Sequence, residues 1–141
     1  MTKTRIGIDI GNVIIGGAGA DTSFFSDDFL RTPEVPGAFE AITELASVYD
    51  VWLLSKCGQK VQDKTLIWLS KHLFFEQTGV DQQQVLFCRQ RSEKAGIARD
   101  MGFHAFIDDR HDIIDSMKGI IDHPLLFTNW ESIRKNPALT F

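Results

Sequence analysis

Five short and nearly continuous apolar runs, separated by stretches of helical periodicity, constrain the fold of this chain more than any other feature. Runs of this length without polar interruption are typical of strands that are buried on both faces of a sheet. Their alternation with helix-length crossovers predicts an α/β fold, a three-layer, doubly wound (Rossmann-like) parallel sheet of about five strands. The runs are Arg5 to Ile10, Val51 to Ser55, Val85 to Cys88, Ala105 to Asp108 and Leu125 to Thr128.

The helical stretches between these runs have local signals for where they begin and end. Pro36-Gly37 precedes the first, Ser92 is a candidate N-cap for the third, and Gly102 and Gly119 are stop signals for the third and fourth. Apolar spacing predicts helices over residues 38–49, 61–72, 92–102 and 112–118, with a last short turn over 130–135.

Length and composition indicate one globular domain over residues 1–141. The chain is long enough to bury a sizeable core, and it is 43% hydrophobic and 24% charged. The stretch from about 16 to 36 interrupts the alternation and is too short for a cap domain. We expect it to form a flap over the ligand edge, although its phenylalanines could equally be packed against the sheet.

Charge, cysteine content and hydropathy exclude several classes. A net charge of −4 does not favour nucleic-acid binding, and Cys57 and Cys88 are better read as buried thiols than as a disulfide framework or zinc site. No stretch approaches the roughly 20 apolar residues of a membrane span, and no cleavage site follows the N-terminus. We therefore expect a cytoplasmic protein without a membrane partner, and we leave a homo-oligomer open.

Polar residues stand just after these runs or at the head of the next helix. They are Asp9, Ser55, Lys94 and the pair Asp108-Asp109. Taken singly, each has an ordinary structural explanation as a cap, a turn residue or a surface lysine. Taken together they all fall at strand-to-helix junctions, and an α/β sheet gathers such positions at the edge where ligands bind. The sequence therefore predicts one shared site.

The residue types in this set suit phosphoryl transfer. Asp9 is the candidate nucleophile, since an aspartyl phosphate divides one difficult displacement into two easier ones. Ser55 offers a hydroxyl to a phosphoryl oxygen, and Lys94 offers a positive charge for the transition state. We therefore expect these three to be catalytic and the partner to be a phosphorylated substrate.

A divalent cation is expected between the nucleophile and the phosphate, because both are anions. Mg²⁺ prefers hard oxygen ligands, commonly one or two carboxylates together with phosphate oxygens and water. Asp9 and Asp108 supply such carboxylates, and Asp109 supplies another directly or through water. The backbone carbonyl of Gly11 is a further candidate ligand.

The order of these residues resembles the haloacid dehalogenase-like (HAD) superfamily, most of whose members are phosphatases. Asp9 in Asp9-Ile10-Gly11-Asn12-Val13 resembles the motif I nucleophile, and Leu54-Ser55-Lys56 resembles motif II. Lys94 matches the motif III lysine, and Ile107-Asp108-Asp109-Arg110 is similar to motif IV. The resemblance covers most of the chain and implies a small capless member, a Mg²⁺-dependent phosphoric monoester hydrolase that acts through an aspartyl phosphate. Response-regulator receivers use the same residue types, but their acidic pair comes first and their lysine last.

Gly11 departs from the pattern that the resemblance implies. Most phosphatases of the superfamily carry an aspartate there, which protonates the leaving group and later activates water. Asn12 cannot replace it as a proton donor. Four other residues are candidates to supply the proton, but spacing places none of them at the site: Asp27, Asp28, His104 and His111. Either the protein hydrolyses esters with good leaving groups, or an acid comes from the flap or a neighbouring subunit, or the protein binds phosphate or Mg²⁺ without catalysis.

The absence of a cap has its own implication. An open site suits a large substrate, such as a phosphoprotein or a nucleic-acid end, or a lid lent by an oligomeric partner. Five residues are candidates to face the pocket, although an exposed helix or loop position is the better explanation for each of them: Gln59, Lys60, Arg89, Arg91 and Arg110.

Overall fold

A five-stranded parallel sheet forms the centre of the protein, as the sequence predicts. The computed structural model describes residues 2–16, 24 and 26–141. Neighbouring strands pair in parallel throughout, in the spatial order β3-β2-β1-β4-β5. The strands are β1 (Arg5–Ile8), β2 (Asp50–Lys56), β3 (Val85–Cys88), β4 (Ala105–Asp108) and β5 (His123–Leu126).

Helices cover both faces of this sheet and complete the three layers. They are α1 (Ala38–Val48), α2 (Gln59–Lys71), α3 (Phe74–Thr78), α4 (Glu93–Met101), α5 (His111–Met117) and α6 (Trp130–Arg134), with a 3-10 turn at Phe29–Arg31. Buried residues of α1, α2, α3 and α6 share one core cluster with Leu53 and Ile107, while those of α4 and α5 share another with Leu54 and Phe106. Successive strand residues thus face opposite layers, which explains their unbroken apolar runs. No helix in the described residues is long and apolar enough to cross a membrane.

The predicted bounds of β3 and β4 are confirmed, and those of β2 are one residue short at each end. The bounds of β1 and β5 differ from the predicted ones by two residues, for reasons that lie in the local backbone. The first strand ends at Ile8 rather than Ile10, since the Ile10 carbonyl accepts from the amides of Val13, Ile14 and Ile15 and turns the chain. The fifth begins at His123 and includes Pro124. Because β5 lies at the edge of the sheet, the missing amide of that proline is tolerated there.

Helix α4 begins where the sequence places it, but without the predicted side-chain cap. Ser92 occupies the N-cap position, and its side chain makes no capping hydrogen bond. The backbone amides of Glu93 and Lys94 donate instead to the carbonyls of Gln90 and Arg91, each at 3.1 Å. Gly102 ends the helix in the left-handed conformation, as predicted. This start fixes Lys94 in the first turn.

The direction in which successive strands are added to the sheet reverses at β1. From β1 the chain runs through β2 to β3 at one edge of the sheet, and it then crosses to β4 on the other side of β1. Such a reversal opens a crevice at the carboxyl ends of the two central strands, which is where open α/β sheets bind ligands. Here these strands are β1 and β4.

Gly7 in the central strand β1 is set by packing. A Cβ atom at this position would lie 2.6 Å from ring atoms of both Phe103 and Phe106. The two rings are stacked, with centroids 6.1 Å apart, on the face covered by α4 and α5. A side chain here would therefore displace both rings.

We expect Gly7→Ala to lower the free energy of unfolding by about 1–3 kcal/mol, because the added methyl overpacks this layer. The matched control is Gly11→Ala, since a Cβ at Gly11 meets no atom of the described residues within 4 Å. Urea unfolding of both variants measures the effect. Equal stability of the two variants would show that the rings yield without cost.

Candidate functional site

The polar residues selected from the sequence meet at the carboxyl edge of the sheet. Asp9 follows β1, Asp108 ends β4, Ser55 lies near the end of β2 and Lys94 lies in the first turn of α4. A cavity of about 440 Å³ opens at this edge. Its lining includes Asp9, Gly11, Ser55, Lys94 and Asp109, with Asp108 buried at its side.

The ammonium group of Lys94 connects the two central carboxylates. Its Nζ donates to Oδ1 of Asp9 at 3.0 Å and to Oδ2 of Asp108 at 2.8 Å. The other oxygen of Asp108 accepts from the backbone amide of Arg110 at 3.0 Å. No hydrogen bond from the described part of the chain reaches Oδ2 of Asp9. One oxygen of Asp9 is thus fixed while the other is left to the cavity.

Burial dominates the electrostatics of this cluster. The exposed fractions of Asp9, Lys94 and Asp108 are 7%, 3% and 0%. Burial raises the pKa of Asp9 to about 8 against the opposing effect of Lys94, and it raises the pKa of Asp108 likewise. Burial alone would lower the pKa of Lys94, but Asp9 and Asp108 outweigh it and raise that pKa. The lysine is therefore firmly protonated, yet one ammonium does not compensate the acids.

The donor set fits a hard divalent cation. One carboxylate oxygen from each of Asp9, Asp108 and Asp109 lies within 4.8 Å of the others. The three carboxylates share one buried ammonium, and a bound divalent cation would add positive charge that favours their ionised forms. Oxygen ligands of this kind suit Mg²⁺. Gly11 lies in the same cavity lining, and its carbonyl as a ligand stays a prediction.

Three apolar residues and two threonines form a further part of the cavity lining, and sequence reasoning missed this part as a site feature. Val61 and Thr65 come from α2, Ile15 from the loop after β1, and Phe24 and Thr32 from the interrupting segment. The signal that could have revealed two of them is the i, i+4 spacing of Val61 and Thr65. That spacing places them on one face of a helix that begins just beyond the carboxyl end of β2.

The segment at 16–36 contributes Gly16, Phe24 and Thr32 to the lining. Two side chains of α2 donate hydrogen bonds to backbone carbonyls of this segment. The indole of Trp68 donates to the carbonyl of Thr32 at 2.9 Å, and Lys64 donates to that of Ser26 at 3.0 Å. Residues 17–23 and 25 lie outside the described part of the chain. That the segment acts as a flap therefore stays a prediction.

Two of the five candidate pocket residues lie in the cavity lining, namely Arg91 and Arg110. Arg110 is also paired with Asp112, from Nε to Oδ1 at 3.0 Å. The lining does not include Gln59, Lys60 or Arg89. Arg89 instead connects the end of β3 to the start of α2. Its guanidinium donates to the carbonyl of Cys57 and to the side chains of Gln59 and Gln62, each at 2.9 Å.

The described cavity lining contains no replacement for the missing acid. Its carboxylates are Asp9 and Asp109, and it includes no histidine. None of Asp27, Asp28, His104 and His111 is among these residues. His104 precedes β4 at the opposite edge of the sheet, where its Nδ1 lies 3.4 Å from Asp122. Asn12 does line the cavity, but its amide has no acidic proton to give.

The two cysteines are not alternative nucleophiles. Cys57 and Cys88 are buried free thiols at the ends of β2 and β3. Burial raises the pKa of both. Because the thiolate is the reactive form, such thiols are unreactive at neutral pH. Asp9 is left as the candidate nucleophile.

Comparison with known proteins shows the fold. No protein-family model matches the sequence, and no curated protein does. The fold is similar to that of a chain in the Pnkp1/Rnl/Hen1 RNA repair complex, with a TM-score of 0.66 and 16% identity, covering 90% of this chain and 43% of that one. It is also similar to the class C acid phosphatase from Bacillus anthracis, solved with tungstate bound, with a TM-score of 0.56 and 15% identity, covering 98% of this chain and 76% of that one. These likenesses show a Rossmann-like α/β fold that the chain shares with the acid phosphatase.

Proposed function

We propose that the protein is a Mg²⁺-dependent phosphohydrolase that acts on a phosphomonoester through an aspartyl phosphate on Asp9. The observation that carries this proposal is the fixed carboxylate of Asp9, which lies at the carboxyl end of β1, where the strand order of the sheet reverses. Lys94 holds one oxygen of Asp9 at 3.0 Å, and Asp9 lines a cavity large enough for a small ligand.

In the first step, Oδ2 of Asp9 attacks phosphorus. The bond between that oxygen and phosphorus forms, and the bond to the leaving oxygen breaks with its electron pair staying on that oxygen. Water then attacks the phosphorus, inorganic phosphate is released and the Asp9 carboxylate is restored. Lys94 keeps Asp9 oriented through both steps, and Ser55 donates its hydroxyl to a phosphoryl oxygen.

Asp9, Asp108 and Asp109 would hold the cation, together with the carbonyl of Gly11. Bound there, Mg²⁺ would lower the repulsion between the Asp9 carboxylate and the phosphate, which both carry negative charge. It would also favour the ionised, nucleophilic form of Asp9 against the burial that raises its pKa.

The fold comparison supports this proposal at a coarser level. The class C acid phosphatase that shares the fold was solved with tungstate. Tungstate is a tetrahedral oxyanion like phosphate, so a phosphatase that shares this fold binds an anion of phosphoryl size.

A second candidate is a non-catalytic member that binds phosphate or Mg²⁺ in a regulatory or interaction role. Gly11 favours it, because acid–base catalysis of the kind a side chain there would provide is worth roughly 10²–10⁴-fold. The two candidates differ in turnover, and two variants separate them.

Asp9→Asn tests the nucleophile. With an activated aryl phosphate and Mg²⁺, we expect wild-type hydrolysis to stop on chelation of the metal and to fall to the rate without protein in the variant, because an amide cannot form the aspartyl phosphate. Asp115→Asn, an exposed acid on α5 away from the cavity, is the matched control and should keep the wild-type rate. Equal rates for wild type and Asp9→Asn would contradict the proposed enzymatic activity.

Gly11→Asp tests the missing acid. A side chain at this position has open space, so the variant should fold normally. We expect hydrolysis of alkyl phosphates to rise about 10²–10⁴-fold, since their poor leaving groups need a proton. Gly11→Asn has the same shape without the proton and should give no gain. If both variants behave alike, then the lack of an acid is not what limits the site.

A further inference from the structure

We infer that the site takes phosphomonoesters of phenols, in which the ester oxygen is attached directly to an aromatic ring. This inference rests on the proposed hydrolysis and names the substrate class for it. Two independent features of the described cavity carry it, the lack of an acid at Gly11 and the apolar wall formed by Ile15, Phe24 and Val61.

The first feature limits the chemistry of the leaving group. The described lining holds no histidine and no carboxylic acid besides Asp9 and Asp109, which the proposed reaction uses as nucleophile and cation ligands, so the leaving oxygen departs as an anion. An alkoxide is a poor leaving group, whereas an aryloxide is stabilised by its ring, as the phenol pKa of about 10 for tyrosine illustrates. The aryloxide takes its proton from water after departure, so the step is balanced without an enzyme acid.

The second feature limits the shape and polarity of the leaving group. Val61 and Thr65 present one face of α2 to the cavity, and Ile15 and Phe24 extend the apolar lining. Burial of a phenyl ring against such a wall is favourable, at about 25 cal/mol for each Å² of apolar surface removed from water. A sugar or glycerol body would lose its water there without recovering hydrogen bonds from Ile15, Phe24 or Val61.

Gly11 contributes room as well as lacking an acid. A Cβ at this position would meet no described atom within 4 Å, so the space that a carboxylate would fill is open. The cavity measures about 440 Å³, within the roughly 300–1,000 Å³ of small-molecule sites. A phosphate with one aromatic ring fits this space, which makes a small substrate a better match than the large one expected from an open site.

Binding of two phosphonates tests the assignment without turnover, because a P–C bond is not hydrolysed. In the presence of Mg²⁺, calorimetry should show phenylphosphonate binding to the wild type at least about tenfold more tightly than methylphosphonate. Val61→Ala should weaken phenylphosphonate about fivefold and leave methylphosphonate unchanged. Equal affinity of the wild type for the two phosphonates would overturn the assignment.

The matched control removes an apolar side chain from the other face of the same helix. Ile67 is 45% exposed and does not line the cavity, so Ile67→Ala should bind both phosphonates as the wild type does. Equal weakening of phenylphosphonate by Val61→Ala and Ile67→Ala would point to a general disturbance of α2 and would overturn the role of the wall.

Hydrolysis rates separate the failure of this inference from the failure of the proposed function. For ring-substituted phenyl phosphates, the wild-type rate should fall with each increase in phenol pKa, and Gly11→Asp should flatten that dependence. Asp9-dependent hydrolysis of acetyl phosphate together with equal phosphonate binding would contradict the aryl substrate class and leave the proposed hydrolysis standing. A preference for phenylphosphonate with no Asp9-dependent hydrolysis of any phosphate would support the ligand class and contradict the proposed hydrolysis.

Discussion

The ammonium of Lys94, held between Asp9 and Asp108, is the interaction on which the site depends. Burying two acids is unfavourable unless a charge compensates them, and breaking such a buried group generally costs about 3–5 kcal/mol. Lys94 reaches both acids at 3.0 and 2.8 Å because α4 begins beside the ends of β1 and β4. The sheet order, the start of α4 and the reversal of the chain at β1 together make this contact possible.

Lys94 only partly compensates the buried acids, and this makes the site suitable for a cation. Burial still raises the pKa of Asp9 and Asp108 beside the lysine, and Asp109 adds a third carboxylate. A cation would complete the charge balance and leave Asp9 ionised beside a phosphate. Gly11 lines the same cavity without an acidic side chain, and a Cβ at this position would meet no described atom within 4 Å. In the proposed reaction this residue would give no proton to the departing oxygen.

Sequence patterns predicted the fold class, the number of strands and the meeting of the polar residues, because the central strands β1 and β4 are buried on both faces and the strands end where the chain turns. They missed α3, which follows the left-handed Leu73, and the start of β5, where Pro124 is tolerated only because the strand lies at an edge. They also missed the apolar wall. Val61 and Thr65 look like ordinary core positions until the tertiary packing of α2 leaves them facing the cavity.

The central claim is that Asp9 accepts the phosphoryl group. The most direct measurement is acid quenching after incubation with Mg²⁺ and an aryl phosphate, with mass spectrometry of the intact chain and its peptides as the readout. We expect one phosphoryl group per chain on Asp9, sensitive to hydroxylamine as acyl phosphates are, and longer lived in the wild type than in Gly11→Asp. Hydrolysis without a phosphoryl group on Asp9, or with one on another residue, would contradict this mechanism.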